Sequence, residues 1–296
     1  MTMFESYSLD SRTLAGPLEA RLAAIRQAGF SKVMLDARDV VSHPGGVAGA
    51  VAALGASGLR PAGLQTLHDF EGLSGPLHQY KVEVAKGMLQ TCAQVGAPRL
   101  LVSASTLPQA SPDLARLAAD LHKLAMLAVP LGLQVAYKAL SWGQSVRGFL
   151  DAWDVVSDAN CSNLGLCLDS FHMFANGDSL DDLIELEPER IFQVQLSDAI
   201  GALPEPTAPK DPTARSLRVF PGQGAHSEQL ANLVLRLARL GYSGDYSLDV
   251  SNDDYAQLPA QHVAAQARQS ASWLNDDVLH RAAPLPHWTR ANTVAR

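Results

Sequence analysis

Short apolar runs alternate with longer amphipathic segments along most of the chain. Residues 17–28 place Leu18, Leu22 and Ile25 on one face, as a helix requires, and the strand-like run 32–35 follows them. The same alternation predicts further helices near 47–56, 77–95, 111–131, 146–159, 179–186, 227–240 and 256–274. It predicts further strands near 4–9, 60–65, 99–102, 133–138, 164–169, 191–195 and 245–249.

Eight strands, each followed by a helix, imply a parallel sheet. Eight such units within residues 1–275 fit one closed (β/α)₈ TIM barrel. The rival is an open, doubly wound sheet, which carries a glycine-rich G-x-G-x-x-G turn after its first strand. No such turn follows residues 4–9 here, so the pattern favours the barrel and indicates no nucleotide cofactor.

Two stretches lie outside the alternation. Residues 201–216 contain four prolines and cannot form regular structure, so we predict a long loop over the mouth of the barrel after strand seven. It is either a lid or a floppy insertion. Residues 276–296 form a C-terminal tail that either packs on the barrel or reaches a second subunit of a homo-oligomer.

Composition is that of an ordinary globular protein, with 47% hydrophobic and 18% charged residues in 296. A formal charge of −7 argues against nucleic acid as a partner. Three cysteines are too few and too unpatterned for a disulfide framework or a zinc ribbon. Residues 1–10 lack the apolar core of a signal peptide, and no run of roughly 18 apolar residues occurs. We therefore expect a cytoplasmic protein with no membrane partner.

Four predicted strands each end in one polar side chain. These are Lys138, Asp169, Gln195 and Asp249, at the ends of strands five to eight. Because reactive groups in such barrels lie at the carboxyl ends of the strands, we expect all four in one small pocket. The set is similar to a metal site in which one carboxylate has been exchanged for a cation.

More polar and aromatic side chains follow the strand ends. His172 lies three residues after Asp169 and faces the same mouth, so we predict a catalytic role for it. Trp142 is expected to form part of the wall of the pocket. Six residues are assigned to substrate binding, and they are His68, Glu71, Trp142, Asp198, Arg218 and Gln223.

Five segments occur in order that are similar to those of a known superfamily. They are Tyr-Lys-Ala-Leu-Ser-Trp-Gly at 137–143, Leu-Asp-Ser-Phe-His at 168–172, Val-Gln-Leu-Ser-Asp at 194–198, Phe-Pro-Gly-Gln-Gly at 220–224 and Ser-Leu-Asp-Val-Ser-Asn-Asp at 247–253. Residues 16–270 resemble the xylose-isomerase-like TIM-barrel superfamily of sugar phosphate isomerases and epimerases. Within it, the segments look most like those of bacterial 3-dehydroshikimate dehydratases.

The resemblance implies a divalent metal ion (Mg, Mn, Co or Zn) at the ends of strands five to eight, held by Glu, Asp, Gln or His, and Glu. Such an ion polarises a substrate carbonyl while nearby groups move a proton on the adjacent carbon. In this chain the metal positions that match the family pattern are Asp169, Gln195 and Asp249, and Lys138 stands at the position of the first Glu.

The chain departs from the family pattern at several positions. Lys138 and the shorter Asp249 replace two glutamates, Met34 stands where a Glu of strand two is common, and His68 stands where an Arg usually precedes Asp-Phe-Glu-Gly. Lys138 with Asp169 and Asp249 carries the same net −1 as three carboxylates with a divalent ion. A metal beside the ammonium would be repelled, so the ammonium is predicted to replace it as the electrophile. A Schiff-base lysine and a degraded site that only binds are the alternatives.

The expected function is a carbon–oxygen lyase or isomerase, with 3-dehydroshikimate dehydration to protocatechuate as the leading case. Lys138, or a metal, would polarise the ketone, and Arg218 would hold the carboxylate of the substrate. His172 would be the base, because an imidazole pKa near neutrality suits proton transfer. A sugar or sugar phosphate isomerase/epimerase is the second hypothesis, and a non-catalytic binding relative is the third. In each case the partner is a small polyhydroxylated cyclic acid or sugar.

Overall fold

Eight parallel strands close into a barrel, which confirms the predicted (β/α)₈ fold. The computed structural model describes residues 4–203 and 214–280. The barrel strands are β1 Phe4–Asp10, β2 Phe30–Asp36, β3 Arg60–His68, β4 Arg99–Ser103, β5 Gln134–Lys138, β6 Leu164–Asp169, β7 Ile191–Leu196 and β10 Tyr246–Leu248. Closure is made by β1 and β10, which pair in parallel register with Tyr7 opposite Tyr246. A two-stranded antiparallel sheet, β8 Asp198–Ala199 with β9 Arg218–Val219, lies outside the barrel order.

Helices alternate with the strands along the chain. They are α1 Leu18–Gln27, α2 Ala37–Val41, α3 Gly46–Ser57, α4 Gly75–Gln94, α5 Leu114–Ala128, α6 Phe149–Ala159, α7 Ser170–Asn176, α8 Ala214–Leu217, α9 Ser227–Leu240 and α10 Ala260–Ser272. The helix predicted at 179–186 is a 3-10 helix, Leu180–Glu185. None of the helices within the described ranges combines the length and the apolar composition that a membrane crossing requires.

The structure adds a helix that the sequence pattern did not predict. The sequence pattern predicts a strand that ends at Asp169, and α7 begins directly after it at Ser170. The Asp169 carboxylate accepts a hydrogen bond from Phe171 N at 3.1 Å and so caps the start of the helix, a position at which Asp is preferred. The result is that His172 lies on the first turn of a helix and not on a loop.

Most of the predicted proline-rich loop and tail falls outside the described residues, namely 204–213 and 281–296. Helical structure continues past α10 through a π-helical segment, Trp273–Leu279, beyond the predicted barrel limit at 275. The domain division at 275/276 stays a prediction.

Two layers of side chains fill the barrel, an apolar lower layer and a polar layer at the mouth. The lower layer is apolar, and its buried cluster includes Met34, Ala136 and Cys167. Two residues further along the same strands stand Asp36, Lys138 and Asp169, on the same face because side chains alternate along a strand. Met34, where the family commonly has a Glu, therefore lies below the mouth.

Two glycines, one closely packed and one exposed, allow the packing to be tested by substitution. A Cβ at Gly165 on β6 would lie 2.4 Å from Arg190 O and 2.8 Å from the Phe192 ring. Gly165→Ala should lower the free energy of unfolding by about 2 kcal/mol or more, as overpacking does. Gly87 on α4 is exposed, and a Cβ there meets no atom within 4 Å. Gly87→Ala should raise stability by about 0.5–1 kcal/mol. Urea unfolding measures both, and a Gly165→Ala variant as stable as the native protein would contradict the packing described.

Candidate functional site

Lys138 lies at the end of β5 with its ammonium buried in the barrel mouth, and 5% of the residue is exposed. Its Nζ donates to Asp169 Oδ2 at 3.1 Å and to Gln195 Oε1 at 2.6 Å. Of the two carboxylates counted with it, Lys138 forms its ion pair with Asp169. A buried ammonium needs such partners, since an unpaired charge in the interior is costly.

Asp169 is the centre of the contacts on this side of the mouth. Beyond Lys138 and the α7 amide, its Oδ1 accepts from Arg218 Nη1 at 3.4 Å, and its Oδ2 lies 3.9 Å from His172 Nε2. Burial alone would raise the pKa of Asp169, but the charges of Arg218 and Lys138 hold that pKa well below its usual range. The carboxylate is therefore ionised at working pH.

His172 is buried between Arg218 and two residues of the β5–α6 segment. Its Nε2 lies 3.3 Å from Arg218 Nη2, and its Nδ1 lies 3.2 Å from Ser141 Oγ. The Trp142 ring meets the imidazole edge-on, with centroids 4.5 Å apart. Burial first, and then Arg218 and Lys138, lower the pKa of His172 to about 3, while Asp169 opposes them. The imidazole is neutral at neutral pH, but its pKa lies well below the near-neutral value expected from the sequence.

Arg218 reaches the site from β9, outside the barrel. Its guanidinium stacks over the Phe171 ring at 4.1 Å from the centroid, and Nη1 donates to Ser197 Oγ at 3.0 Å. Asn252 Nδ2 donates to the Arg218 carbonyl oxygen at 2.8 Å and fixes the backbone there. The sheet of β8 and β9 thus positions a second buried cation against Asp169.

Asp249 is bound by Arg12, a residue that sequence reasoning missed. Arg12 Nη2 lies 2.7 Å from both carboxylate oxygens of Asp249. Arg12 stands in the 3-10 turn Ser11–Thr13 after β1, where Asp10 accepts from Arg12 N at 3.1 Å. The signal was present in the sequence, because Asp10 and Arg12 follow a strand end as the other site residues do.

Two glutamines connect the halves of the mouth. Gln195 Nε2 donates to Gln65 Oε1 at 2.8 Å, and Gln65 Nε2 donates to Asp10. Since Gln195 Oε1 accepts from Lys138, one chain of hydrogen bonds and ion pairs runs from Asp249 through Arg12 to Asp169. The mouth is lined by charges that already have partners.

Asp198 lies outside this cluster. Its carboxylate accepts from the amides of Ala199, Gly224 and His226 and from Ser227 Oγ, at 2.6–3.1 Å. These contacts hold the loop that leads into α9. The structure thus gives Asp198 a role in fixing the β7–α9 region, where the sequence suggested substrate binding.

Glu71 is also held away from the cluster. It is 1% exposed, and its Oε1 accepts from Ser105 N at 2.5 Å and from Tyr137 Oη at 2.9 Å. Burial raises the pKa of Glu71 to about 7, although these hydrogen bonds oppose the rise. The other two predicted substrate residues, His68 and Gln223, are exposed at the rim, where His68 Nδ1 lies 2.8 Å from Ser103 Oγ.

The positions that the resemblance assigns to a metal do not fit one. Lys138 Nζ contacts the oxygens of Asp169 and Gln195 that would bind the ion, and Arg12 engages both oxygens of Asp249. Divalent ions need carboxylate, amide or imidazole atoms that are free to coordinate. Within residues 4–203 and 214–280, no group of three or more His, Cys, Asp or Glu could hold a metal ion.

Comparison with known proteins identifies the family. Residues 22–277 match the model of the xylose isomerase-like TIM barrel, and the chain belongs to that family. A 3-dehydroshikimate dehydratase of Pseudomonas aeruginosa is 32% identical over 283 residues, which make up 95% of this chain and 43% of that protein. An inosose isomerase of Bacillus licheniformis is 28% identical over 220 residues, 72% of this chain and 75% of the isomerase. The chain spans less than half the length of the dehydratase.

Solved structures agree with the fold. A xylose isomerase-like TIM barrel/4-hydroxyphenylpyruvate dioxygenase fusion protein superposes with a TM-score of 0.86 at 27% identity, over 95% of this chain and 44% of that chain. A crystal structure of IOLI protein with a bound zinc atom gives 0.79 at 20% identity, over 93% and 99%. The zinc is a property of that protein.

Glu71 should make stability depend on pH. The folded protein binds the Glu71 proton more tightly than the unfolded chain, whose carboxyl has a pKa near 4.5. The stabilisation is complete below that value and is lost as the pH rises through about 7. Glu71→Gln should therefore gain stability relative to the native protein between pH 5 and pH 8, by about 3 kcal/mol. Urea unfolding across this range, with the exposed Glu83→Gln as control, measures the gain; a constant difference would contradict it.

Proposed function

We propose that this chain dehydrates 3-dehydroshikimate or a closely related cyclic keto acid, with the Lys138 ammonium in place of a metal ion. The observation that carries the proposal is the position of Lys138 Nζ against Asp169 Oδ2 and Gln195 Oε1. A cation thus contacts two of the side chains that the family pattern assigns to its metal.

The reaction needs an electrophile at the ketone oxygen and a base for the neighbouring C–H bond. Loss of the proton and of a hydroxyl group as water leads to an aromatic product, which supplies the driving force. An ammonium has three protons, and Asp169 and Gln195 accept two of them. The third proton of Lys138 is available to the ketone oxygen. A Schiff base would need a neutral amine, which this ion pair disfavours.

His172 is the proposed base. Its burial keeps the imidazole neutral, so a ring nitrogen can accept the proton. A pKa of about 3 makes it a weak base in the unliganded protein. Arg218 contributes to that low pKa, and a substrate carboxylate bound at Arg218 would offset its charge. Binding of the acid would therefore raise the pKa of His172 and prepare it for proton transfer.

Isomerase or epimerase chemistry is the second candidate, and it is supported by the match to the inosose isomerase over 75% of that protein's length. Such reactions usually employ a carboxylate base on each side of the reacting carbon. Lys138 stands at one of these positions, which favours the dehydratase. The cytoplasmic location and any homo-oligomer stay predictions.

The test is incubation with 3-dehydroshikimate, with and without added Mn²⁺ or Co²⁺, while the absorbance of protocatechuate is followed. Product should form without added metal. His172→Ala and Lys138→Met should each lower kcat/KM by about 100-fold or more, as loss of a general base or an electrophile does. The exposed His262→Ala and Lys86→Met are the matched controls and should retain activity.

Other outcomes would reject the dehydratase. Turnover of an inosose or a ketose, with no protocatechuate, would assign the chain to the isomerases. Stabilisation by ligand without turnover of either would assign it to the binding proteins.

A further inference from the structure

Arg12 is a further cation at the mouth of the barrel, and it contacts Asp249 and Asp10. Its Nη2 lies 2.7 Å from each carboxylate oxygen of Asp249, and its Nε lies 3.2 Å from Asp10 Oδ2. The Asp249 side chain is 1% exposed and the Arg12 side chain 25%. Burial alone would raise the pKa of Asp249, but Arg12 and then Arg218 and Lys138 lower it. Arg12 therefore holds Asp249 as a bound carboxylate.

Arg12 and Lys138 together carry two positive charges, the same charge as a divalent ion. Each contributes one positive charge, because a guanidinium stays protonated in proteins and the Lys138 ammonium pairs with Asp169. Of the positions that the resemblance assigns to metal ligands, Arg12 contacts Asp249, and Lys138 contacts Asp169 and Gln195. Gln65 joins the two ends through Gln195 and Asp10. Two fixed cations thus take the ligands that one ion would share.

We propose that Arg12 and Lys138 form a two-cation replacement for a divalent metal, in which Lys138 excludes the ion and Arg12 weakens its binding where Lys138 is absent. The inference does not rest on the proposed reaction. It follows that restoring the carboxylate at position 138 is not enough, since Arg12 would still engage both oxygens of Asp249 and repel an ion beside it. Removal of Arg12 alone would leave the Lys138 ammonium between Asp169 and Gln195.

The experiment compares Mn²⁺ binding by isothermal titration calorimetry in four proteins: the native chain, Arg12→Gln, Lys138→Glu and the double variant. The native chain and Arg12→Gln should bind no Mn²⁺ at the metal positions. Lys138→Glu should bind weakly. The double variant should bind at least about 10-fold more tightly than Lys138→Glu, because the guanidinium that contacts both oxygens of Asp249 is gone. Its thermal midpoint should rise with Mn²⁺.

Two controls separate charge from structural damage. Arg12→Lys combined with Lys138→Glu keeps the charge and should bind as weakly as Lys138→Glu. Arg38→Gln combined with Lys138→Glu removes an exposed arginine that pairs with Asp36, and it should likewise leave Mn²⁺ binding unchanged. Circular dichroism checks folding, and Arg12→Met is the second neutral variant if Arg12→Gln is unfolded. A double variant that binds no more tightly than Lys138→Glu, or stoichiometric Mn²⁺ in the native chain, would overturn the proposal.

Discussion

A charge buried in a protein needs a partner, and in this barrel the Lys138 ammonium has Asp169 and Gln195. The contact organises the rest of the mouth. Asp169 also accepts from Arg218 and caps α7, which brings His172 to the same place. Gln195 donates a hydrogen bond to Gln65, and Gln65 donates one to Asp10, beside Arg12. Removing the ammonium would leave a buried carboxylate and an amide oxygen without their shared donor.

The closed barrel makes such a network possible because parallel strands deliver their carboxyl ends to one rim. An apolar layer containing Met34, Ala136 and Cys167 is packed below the polar one. The chain belongs to the xylose isomerase-like TIM barrel family, which defines this framework. The fold therefore positions the site, and the side chains decide which chemistry it supports.

Much of the fold could be predicted from the sequence because its signals are local. The apolar runs that end in Lys138 and Asp169 can each be recognised within five or six consecutive residues. Arg12, the partner of Asp249, follows a strand end and could have been found by the same signal, although it lies 237 positions away. The partners of Asp198 could not be predicted, since amides such as that of Gly224 meet it only in the folded chain. The low pKa of His172 was likewise missed, because burial and two neighbouring cations come from tertiary structure. Residue type at a strand end predicted where these side chains lie, and their roles stay predictions.

The central claim is that cations occupy the place of the metal ion, and anomalous X-ray diffraction from crystals soaked in Mn²⁺ tests it most directly. The account predicts no anomalous peak between Asp169 and Gln195, with electron density for the Lys138 side chain in contact with both. It also predicts Arg12 against both oxygens of Asp249. A manganese peak within ligand distance of Asp169, Gln195 and Asp249, with Lys138 and Arg12 displaced, would contradict the account.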